Sequence, residues 1–463
     1  MTAAATIALP ATPQAGVSAP APSRYGRVVS IDILRGLALL WVMTFHLWGD
    51  MVGYGTRDHL YPALRTAVLH GDVGLFTRVA EILMANGNLG VELFMMLSGV
   101  SLTMNAYHRG EPAALTGYRK RFKRVLPVYW FGILFALATV GTLAALRAWQ
   151  YGGSPASQWP HVYIAAIGHV RIDWTDVMLG ASVVGWPFRM SGLNTPALLG
   201  SLWFVELLCA YYLLFPLALR LERRVGPWAF AVLGLAFMLI ARAALVPWTH
   251  ETPGNVNQLR LLTALAPFRI GEFTIGMSVG HLLAARRDDV AGWLRSPADT
   301  VGIVFAGIAL CLTGVLIQTK GDVAFIVSEA LVDVGLALTI APLLFKMPGR
   351  LEGTIVAQGL ILIGVVSFTA LITDDMMRWI ASYLRDEGVT GPVWWFFLVV
   401  VYVPVGVALA YPLAKLFGLL PSQRDPQRNN AGGPPKPPSA PVRAGRRRPP
   451  RSTRRREARA ARA

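Results

Sequence analysis

The stretch RVVSIDILRGLALLWVMTFHLWGD, Arg27 to Asp50, has the length and apolarity of a membrane-spanning helix, yet Asp32, Arg35 and His46 lie within it. At roughly 100° per residue, Arg35 and His46 lie about 20° apart around the helix axis and about 16 Å apart along it. Asp32 and Asp50 fall within about 60° of the same line. The stretch therefore predicts a helix with one polar stripe on an otherwise apolar surface.

These ionisable side chains make the first helix a candidate functional site. A charged group deep in a bilayer costs several kcal/mol unless it faces a protein interior or a water-filled cavity. The imidazole of His46 is suited to accept a proton from a hydroxyl near neutral pH. The alternative is a histidine that only hydrogen-bonds neighbouring helices. We expect no metal, because no His or Cys lies three or four residues from His46.

Composition sets the class of protein. Of 463 residues, 54% are hydrophobic and only 15% are charged, whereas soluble domains carry about 25% charged residues. Repeated apolar runs near twenty residues long predict an all-α polytopic membrane protein. Both cysteines, Cys209 and Cys311, lie in apolar runs, which argues against a disulfide framework or a cysteine metal site.

The apolar runs predict ten membrane spans, separated by loops of unequal charge. The runs cover residues 31–50, 87–106, 125–146, 198–219, 227–247, 263–284, 299–318, 323–346, 354–374 and 393–417. With ten spans, every cluster of Lys and Arg falls on one side of the membrane, so both termini are predicted to be cytoplasmic. The segment 51–86 is then a polar loop on the other side.

We divide the chain into three parts. Residues 1–26 are predicted to be disordered, residues 27–420 form the membrane domain, and residues 421–463 form a disordered Pro/Arg-rich tail. From residue 424 onward, thirteen Lys/Arg oppose two acidic residues, a balance of +11. Such a tail beside a membrane span is expected to contact anionic lipid, and nucleic acid is not an expected partner.

A second candidate site is the basic run YRKRFKRVLPVYW, Tyr118 to Trp130, which enters the third span. Such a cluster usually serves only to orient the protein in the membrane. Arg121 and Arg124, however, are three residues apart and share a helix face, with Lys123 beside them. At the start of a helix, free backbone N–H groups would also favour an anion. A phosphate-bearing ligand is the resulting hypothesis.

Carboxylates inside the predicted spans form the third candidate group. They are expected to pair with buried cations, and one of them is expected to orient His46. The group comprises Glu92, Glu206 and Glu272, with Arg269 three residues before the last, while Asp32 and Asp50 lie on the first span. The orienting carboxylate is open between Asp50, Glu92 and Glu206. Asp374 and Asp375 are interpreted as a solvated end of the ninth span.

The chain resembles the membrane acyltransferase-3 family, ten-span proteins that transfer acyl groups onto sugars and other hydroxyl acceptors. Arg35 and His46 match the family's first-span signature of Arg, ten residues and His, and Arg121 and Arg124 match its Arg-x-x-Arg signature. GVELFMMLSG, LWFVELLCAYY and FRIGEFTIG resemble three further family segments. One departure is Asp374, which stands where many members have a histidine.

The resemblance implies acyl-CoA, either acetyl-CoA or succinyl-CoA, as a donor bound by Arg121, Lys123 and Arg124 on the cytoplasmic side. Arg35 would lie near the thioester or a phosphate, and His46 would act as general base on a hydroxyl of a sugar, glycan or glycolipid. Direct transfer is the simpler route, and a transient acyl-His46 intermediate stays open.

Two other classes of protein fit the same residues. A proton-coupled transporter would also need ten spans and a titratable intramembrane histidine. A membrane scaffold would depend on its basic tail and not on Arg35 or His46.

Overall fold

The structure, a computed structural model, describes most of the membrane domain. The described residues are 29–52, 75–109, 114–158, 178, 181–182, 203–249, 265–294, 296–318, 321–346, 353–389 and 401–420. Residues 1–28 and 421–463 lie outside this set, as does most of the segment 159–202. The predicted disorder of both termini therefore stays a prediction.

The described residues form thirteen helices and no strand. The helices are α1 (Val29–Val52), α2 (Leu75–Ala85), α3 (Leu89–Arg109), α4 (Ala114–Tyr151), α5 (Pro155–Gln158), α6 (Trp203–Val225), α7 (Pro227–Thr249), α8 (Ala266–Ala285), α9 (Arg287–Trp293), α10 (Pro297–Ile317), α11 (Asp322–Lys346), α12 (Ile355–Asp386) and α13 (Val403–Leu416). The predicted all-α fold is confirmed.

Within the described part of the chain, eight helices are long and apolar enough to cross a membrane, namely α1, α3, α4, α6, α7, α10, α11 and α12. The other two predicted spans correspond to α8, which carries Arg269 and Glu272, and to the 14-residue α13. Several helices expose large apolar side chains, such as Phe237 on α7 and Phe305 on α10, as expected of surfaces that face lipid. The count of ten and the cytoplasmic termini stay predictions.

Three helices differ from the sequence prediction. Helix α4 begins at Ala114, before the predicted span at 125, because the basic run is itself helical. Helix α12 continues to Asp386, well beyond residue 374. Within the loop predicted to be polar, α2 is amphipathic, and its Ile82 and Ala85 pack against Trp48 of α1.

Glycines let the central helices approach at backbone distance. A Cβ placed on Gly36 of α1 would lie 2.2 Å from the carbonyl oxygen of Leu360 on α12. Similarly, a Cβ on Gly276 of α8 would lie 2.1 Å from the carbonyl oxygen of Met96 on α3. Small residues at helix crossings are a common packing solution in membranes, because close backbones gain van der Waals contact. Helix α1 thus lies directly against α12, and α3 against α8.

Candidate active site

The close packing of α1 and α12 brings His46 into contact with Asp374. His46 Nδ1 lies 2.5 Å from Asp374 Oδ2, and the opposite carboxylate oxygen, Oδ1, accepts a hydrogen bond of 2.7 Å from the hydroxyl of Tyr402. Because a carboxylate accepts hydrogen bonds, a neutral imidazole in this contact would carry its proton on Nδ1 and leave Nε2 as the acceptor nitrogen. This arrangement is the one a histidine needs to act as a general base.

Hydrogen bonds between α12 and α13 hold Asp374 close to Tyr402, the residue that precedes α13. The hydroxyls of Thr369 and Thr373 donate to the carbonyl oxygens of Ala410 and Gly406, at 3.0 Å and 2.8 Å. Both threonines are fully buried. The position of Asp374 is therefore fixed from two sides.

The interpretation of Asp374 and Asp375 as a solvated helix end was wrong. Both side chains are fully buried, and they lie well inside α12, which ends at Asp386. Asp375 is 3.4 Å from Arg378 Nη1, one turn further along the same helix. A buried carboxylate needs a partner, and Asp374 has His46 and Tyr402.

Arg35 lies on the same side of α1 as His46, because α1 is continuous from Val29 to Val52. Its Nη2 donates a hydrogen bond of 3.0 Å to Ser101 Oγ on α3, and its Nη1 lies 4.0 Å from Asp32 Oδ1. The guanidinium also lies over the ring of Phe94, 5.9 Å from its centroid. The structure thus places Asp32, a residue of the same helix, beside Arg35.

A small apolar cavity lies along α1 between Arg35 and His46. The cavity is partly open, and it has room for about one water molecule. Its lining residues are Ala38, Leu39, Val42, Gly90, Val91, Phe94, Phe204 and Leu371. The three from α1 lie within about 60° of the line that joins Arg35 to His46. Leu371 is one turn before Asp374, so the two residues share a face of α12.

The basic run lies further inside its helix than predicted. Arg121 and Arg124 are well inside α4, which begins at Ala114. Backbone N–H groups are free only in the first turn of a helix, so the expected help from the helix start is absent. The guanidinium of Arg121 stacks on Phe215 of α6, 4.7 Å from the ring centroid. Arg124 and Lys123 are exposed.

Two of the predicted intramembrane carboxylates, Glu92 and Glu272, pair with Arg269. Arg269 Nη2 lies 3.1 Å from Glu272 Oε2, which confirms the predicted pairing, and 3.3 Å from Glu92 Oε1. Glu206 is buried in the first turn of α6. Asp50 ends the quoted stretch, and its side chain lies outside the described set. The carboxylate on His46 is thus Asp374, which was not among the three candidates.

Sequence reasoning also missed charged residues in the seventh and eleventh helices. Arg242 of α7 is fully buried, and its Nη1 lies 3.2 Å from Glu329 Oε2 of α11. Asp333 follows one turn later on α11 and is fully buried. The sequence contained a signal for these residues, because Glu329 and Asp333 lie four residues apart inside a predicted span.

The sequence was compared with family models, curated proteins and solved structures. Residues 28–411 match the acyltransferase-3 model, described as an acyltransferase domain. The chain belongs to the acyltransferase-3 family. It is therefore a multi-pass membrane enzyme of the O-acyltransferase class, which acts on an acyl donor and a hydroxyl acceptor. No curated protein and no solved structure matches the chain. The family match favours the enzyme over the transporter and the scaffold.

Proposed function

We propose that this acyltransferase moves an acetyl or succinyl group from cytoplasmic acyl-CoA to a hydroxyl of a sugar, glycan or glycolipid, with His46 as general base. The observation that carries the proposal is the His46–Asp374 contact of 2.5 Å, which lies about one helical turn from Val42 and Leu371 in the lining of the apolar cavity. A base that is oriented by a buried carboxylate and placed beside a cavity is the arrangement that acyl transfer requires.

The apolar lining of the cavity supports an acyl group or the end of a pantetheine arm as its occupant. As it stands, the cavity has room for about one water molecule, so an acyl group would enter only by moving the lining side chains, and coenzyme A could not enter whole. The nucleotide end would stay outside, where its phosphates can meet Arg121, Lys123 and Arg124. Arginine binds phosphate oxygens in a planar, bidentate geometry.

In the proposed reaction, His46 Nε2 takes the proton of the acceptor hydroxyl as the hydroxyl oxygen attacks the thioester carbonyl. The bond between the acyl carbon and sulfur then breaks, and the coenzyme leaves as a thiolate that receives the proton from His46. Asp374 stabilises the imidazolium between these two proton transfers, and Tyr402 holds Asp374 in place. Arg35, at the opposite end of the cavity, is placed to neutralise charge on the donor. The other supporting residues, Asp32 beside Arg35 and the Glu92–Arg269–Glu272 group, keep α1, α3 and α8 in register.

The test uses two histidines that have similar surroundings. His281 Nδ1 also lies 2.5 Å from a carboxylate, Glu222 Oε1, and it also belongs to a helix of the membrane domain. We expect His46→Gln to abolish acyl transfer and His281→Gln to keep it, since glutamine can donate to a carboxylate but cannot act as a base. Both variants are to be compared at equal membrane abundance.

The measurement combines thiol release from acetyl-CoA or succinyl-CoA in inside-out membrane vesicles with mass analysis of envelope glycans, glycolipids and small metabolites. A mass increase of one acyl group in the wild type, absent in His46→Gln, identifies donor and acceptor class together. Full transfer by His46→Gln would refute the proposed base. Transfer lost equally in both variants would show that the assay reports general damage to the bundle.

A further inference from the structure

A second buried polar group joins four helices that do not carry His46. Its residues come from α3, α7, α8 and α11. The ion pairs are Arg269–Glu272 at 3.1 Å, Arg269–Glu92 at 3.3 Å, Arg269–Glu329 at 3.6 Å and Arg242–Glu329 at 3.2 Å. Asp333 belongs to the same group, because oxygens of Glu272, Glu329 and Asp333 lie within 4.8 Å of one another. We refer to these three residues as the acidic cluster.

The charges of this group do not balance. The acidic cluster and Glu92 supply four carboxylates, whereas Arg242 and Arg269 supply two guanidinium groups. Ionised carboxylates are costly to bury without a compensating positive charge. With all four carboxylates ionised, the described residues of this group leave two negative charges to be neutralised, which equals the charge of one divalent cation.

Asp333 identifies where the missing positive charge belongs. The residue is fully buried, and neither of its carboxylate oxygens has a hydrogen-bond partner among the described residues. One oxygen of Glu329, Oε1, is also without a hydrogen bond there. Buried polar atoms in proteins are almost always satisfied, so each exception needs an explanation. A cation held between Asp333, Glu329 and Glu272 satisfies these oxygens.

The neighbouring backbone makes room for Asp333. A Cβ placed on Gly271 of α8 would lie 2.5 Å from Asp333 Oδ2. Any side chain at this position would therefore displace the carboxylate from Glu272, which is the next residue on α8. The glycine lets α8 and α11 place their carboxylates together despite the mutual repulsion of the charges.

We propose that Glu272, Glu329 and Asp333 bind one divalent hard cation, with Ca²⁺ preferred over Mg²⁺. Carboxylate oxygens are the ligands of both ions. The three oxygens lie within 4.8 Å of one another, so one ion can contact all of them. Ca²⁺ accepts flexible arrangements of protein oxygens, whereas Mg²⁺ dehydrates reluctantly and usually keeps several waters. The burial of all three residues therefore favours Ca²⁺. The bound ion ties α8 to α11 and takes no part in the chemistry at His46.

The experiment measures binding by the full-length protein, purified in a neutral detergent so that no anionic lipid contributes. The chelator-treated protein is equilibrated with radioactive Ca²⁺, and its thermal unfolding is followed with and without the ion. We expect one Ca²⁺ per chain and a higher unfolding temperature in its presence, because a ligand that binds only the folded state stabilises it. Excess Mg²⁺ should compete weakly.

Two variants and one control locate the site. Asp333→Asn keeps the shape of the side chain and should weaken Ca²⁺ binding at least tenfold, the range seen when a metal site loses a supporting group. Gly271→Ala changes no charge but should also weaken binding. Glu222→Gln, which removes a buried carboxylate bonded to His281 instead, should bind Ca²⁺ as the wild type does.

Three results would overturn the proposal. Absence of stoichiometric binding by the wild type at millimolar Ca²⁺ would show that protons neutralise the cluster, and this result does not depend on how the variants fold. Unchanged binding by folded Asp333→Asn would place the ion elsewhere. Equal affinity for Mg²⁺ would refute the preference for Ca²⁺.

Discussion

Replacement of Asp374 by asparagine is the sharpest test of the proposed base. The change keeps the size of the side chain but removes the negative charge that faces His46 at 2.5 Å. A hydrogen bond to a charged group contributes about 1.5–3 kcal/mol. Because each 1.36 kcal/mol corresponds to about tenfold in rate, we expect kcat to fall by roughly 10- to 150-fold, with the KM for acyl-CoA unchanged.

The hydroxyl of Tyr402 makes the expected loss larger. It donates to Asp374 Oδ1 at 2.7 Å, so in the variant it would hold the amide oxygen of the asparagine and turn the amide nitrogen towards His46. An amide N–H facing Nδ1 favours the tautomer with its proton on Nε2, which cannot accept a proton from the acceptor. A histidine held in the wrong tautomer lowers kcat by up to about 10⁴-fold in serine protease triads.

This reasoning predicts a partial rescue. Removal of the hydroxyl in Asp374→Asn/Tyr402→Phe frees the amide to rotate and to offer its oxygen to His46, so the double variant should be faster than Asp374→Asn alone. The matched control is Asp375→Asn, which removes an equally buried carboxylate that faces Arg378 instead. Activity per folded molecule is measured as thiol release in inside-out vesicles. Wild-type kcat in Asp374→Asn would refute the role of the carboxylate, and a slower double variant would refute the tautomer argument.

Four further predictions concern the surrounding structure. Tyr402→Phe alone should lower kcat about fivefold, since one neutral donor contributes about 1 kcal/mol; an unchanged kcat would remove Tyr402 from the site. Arg121→Ala/Arg124→Ala should raise the KM for acyl-CoA at least tenfold with little change in kcat, because charge-assisted contacts to phosphate are lost; unchanged donor binding would exclude these arginines. Ala38→Leu should fill the cavity and reduce transfer of succinyl more than acetyl, a preference read directly by comparing the two donors; equal loss for both would argue against an acyl group in the cavity. Gly364→Ala should destabilise the protein by about 1–3 kcal/mol in thermal unfolding, since its Cβ would overlap the backbone of α1 at Asp32; wild-type stability would contradict the close contact of α1 and α12.

The sequence predicts the features that depend on one helix. The spacing of Arg35 and His46 determines their common face once the segment is helical, and the structure has a continuous helix there. The pairing of Arg269 with Glu272 is equally local, because residues three apart on a helix are neighbours. The existence of the long apolar helices follows from composition in the same way.

Contacts between distant segments could not be predicted by this route. His46 and Asp374 are 328 positions apart, and their contact depends on the glycines that let α1 lie against α12. Two adjacent aspartates in an apolar run indicate a helix end when each is considered alone. Only the packing shows that one faces His46 and the other faces Arg378, so that both are buried inside a longer helix.

The same contact shows what an aspartate at position 374 offers to His46. The family pattern that the sequence resembles has a histidine at this place, and a second imidazole there would be neutral or would repel a protonated His46. An aspartate instead places a negative charge beside the imidazolium that the proposed transfer forms. In the proposed mechanism, this substitution therefore concentrates the proton chemistry on one histidine and gives it a charged partner. Asp374→His should accordingly be a poor replacement, with a rate no better than that of Asp374→Asn.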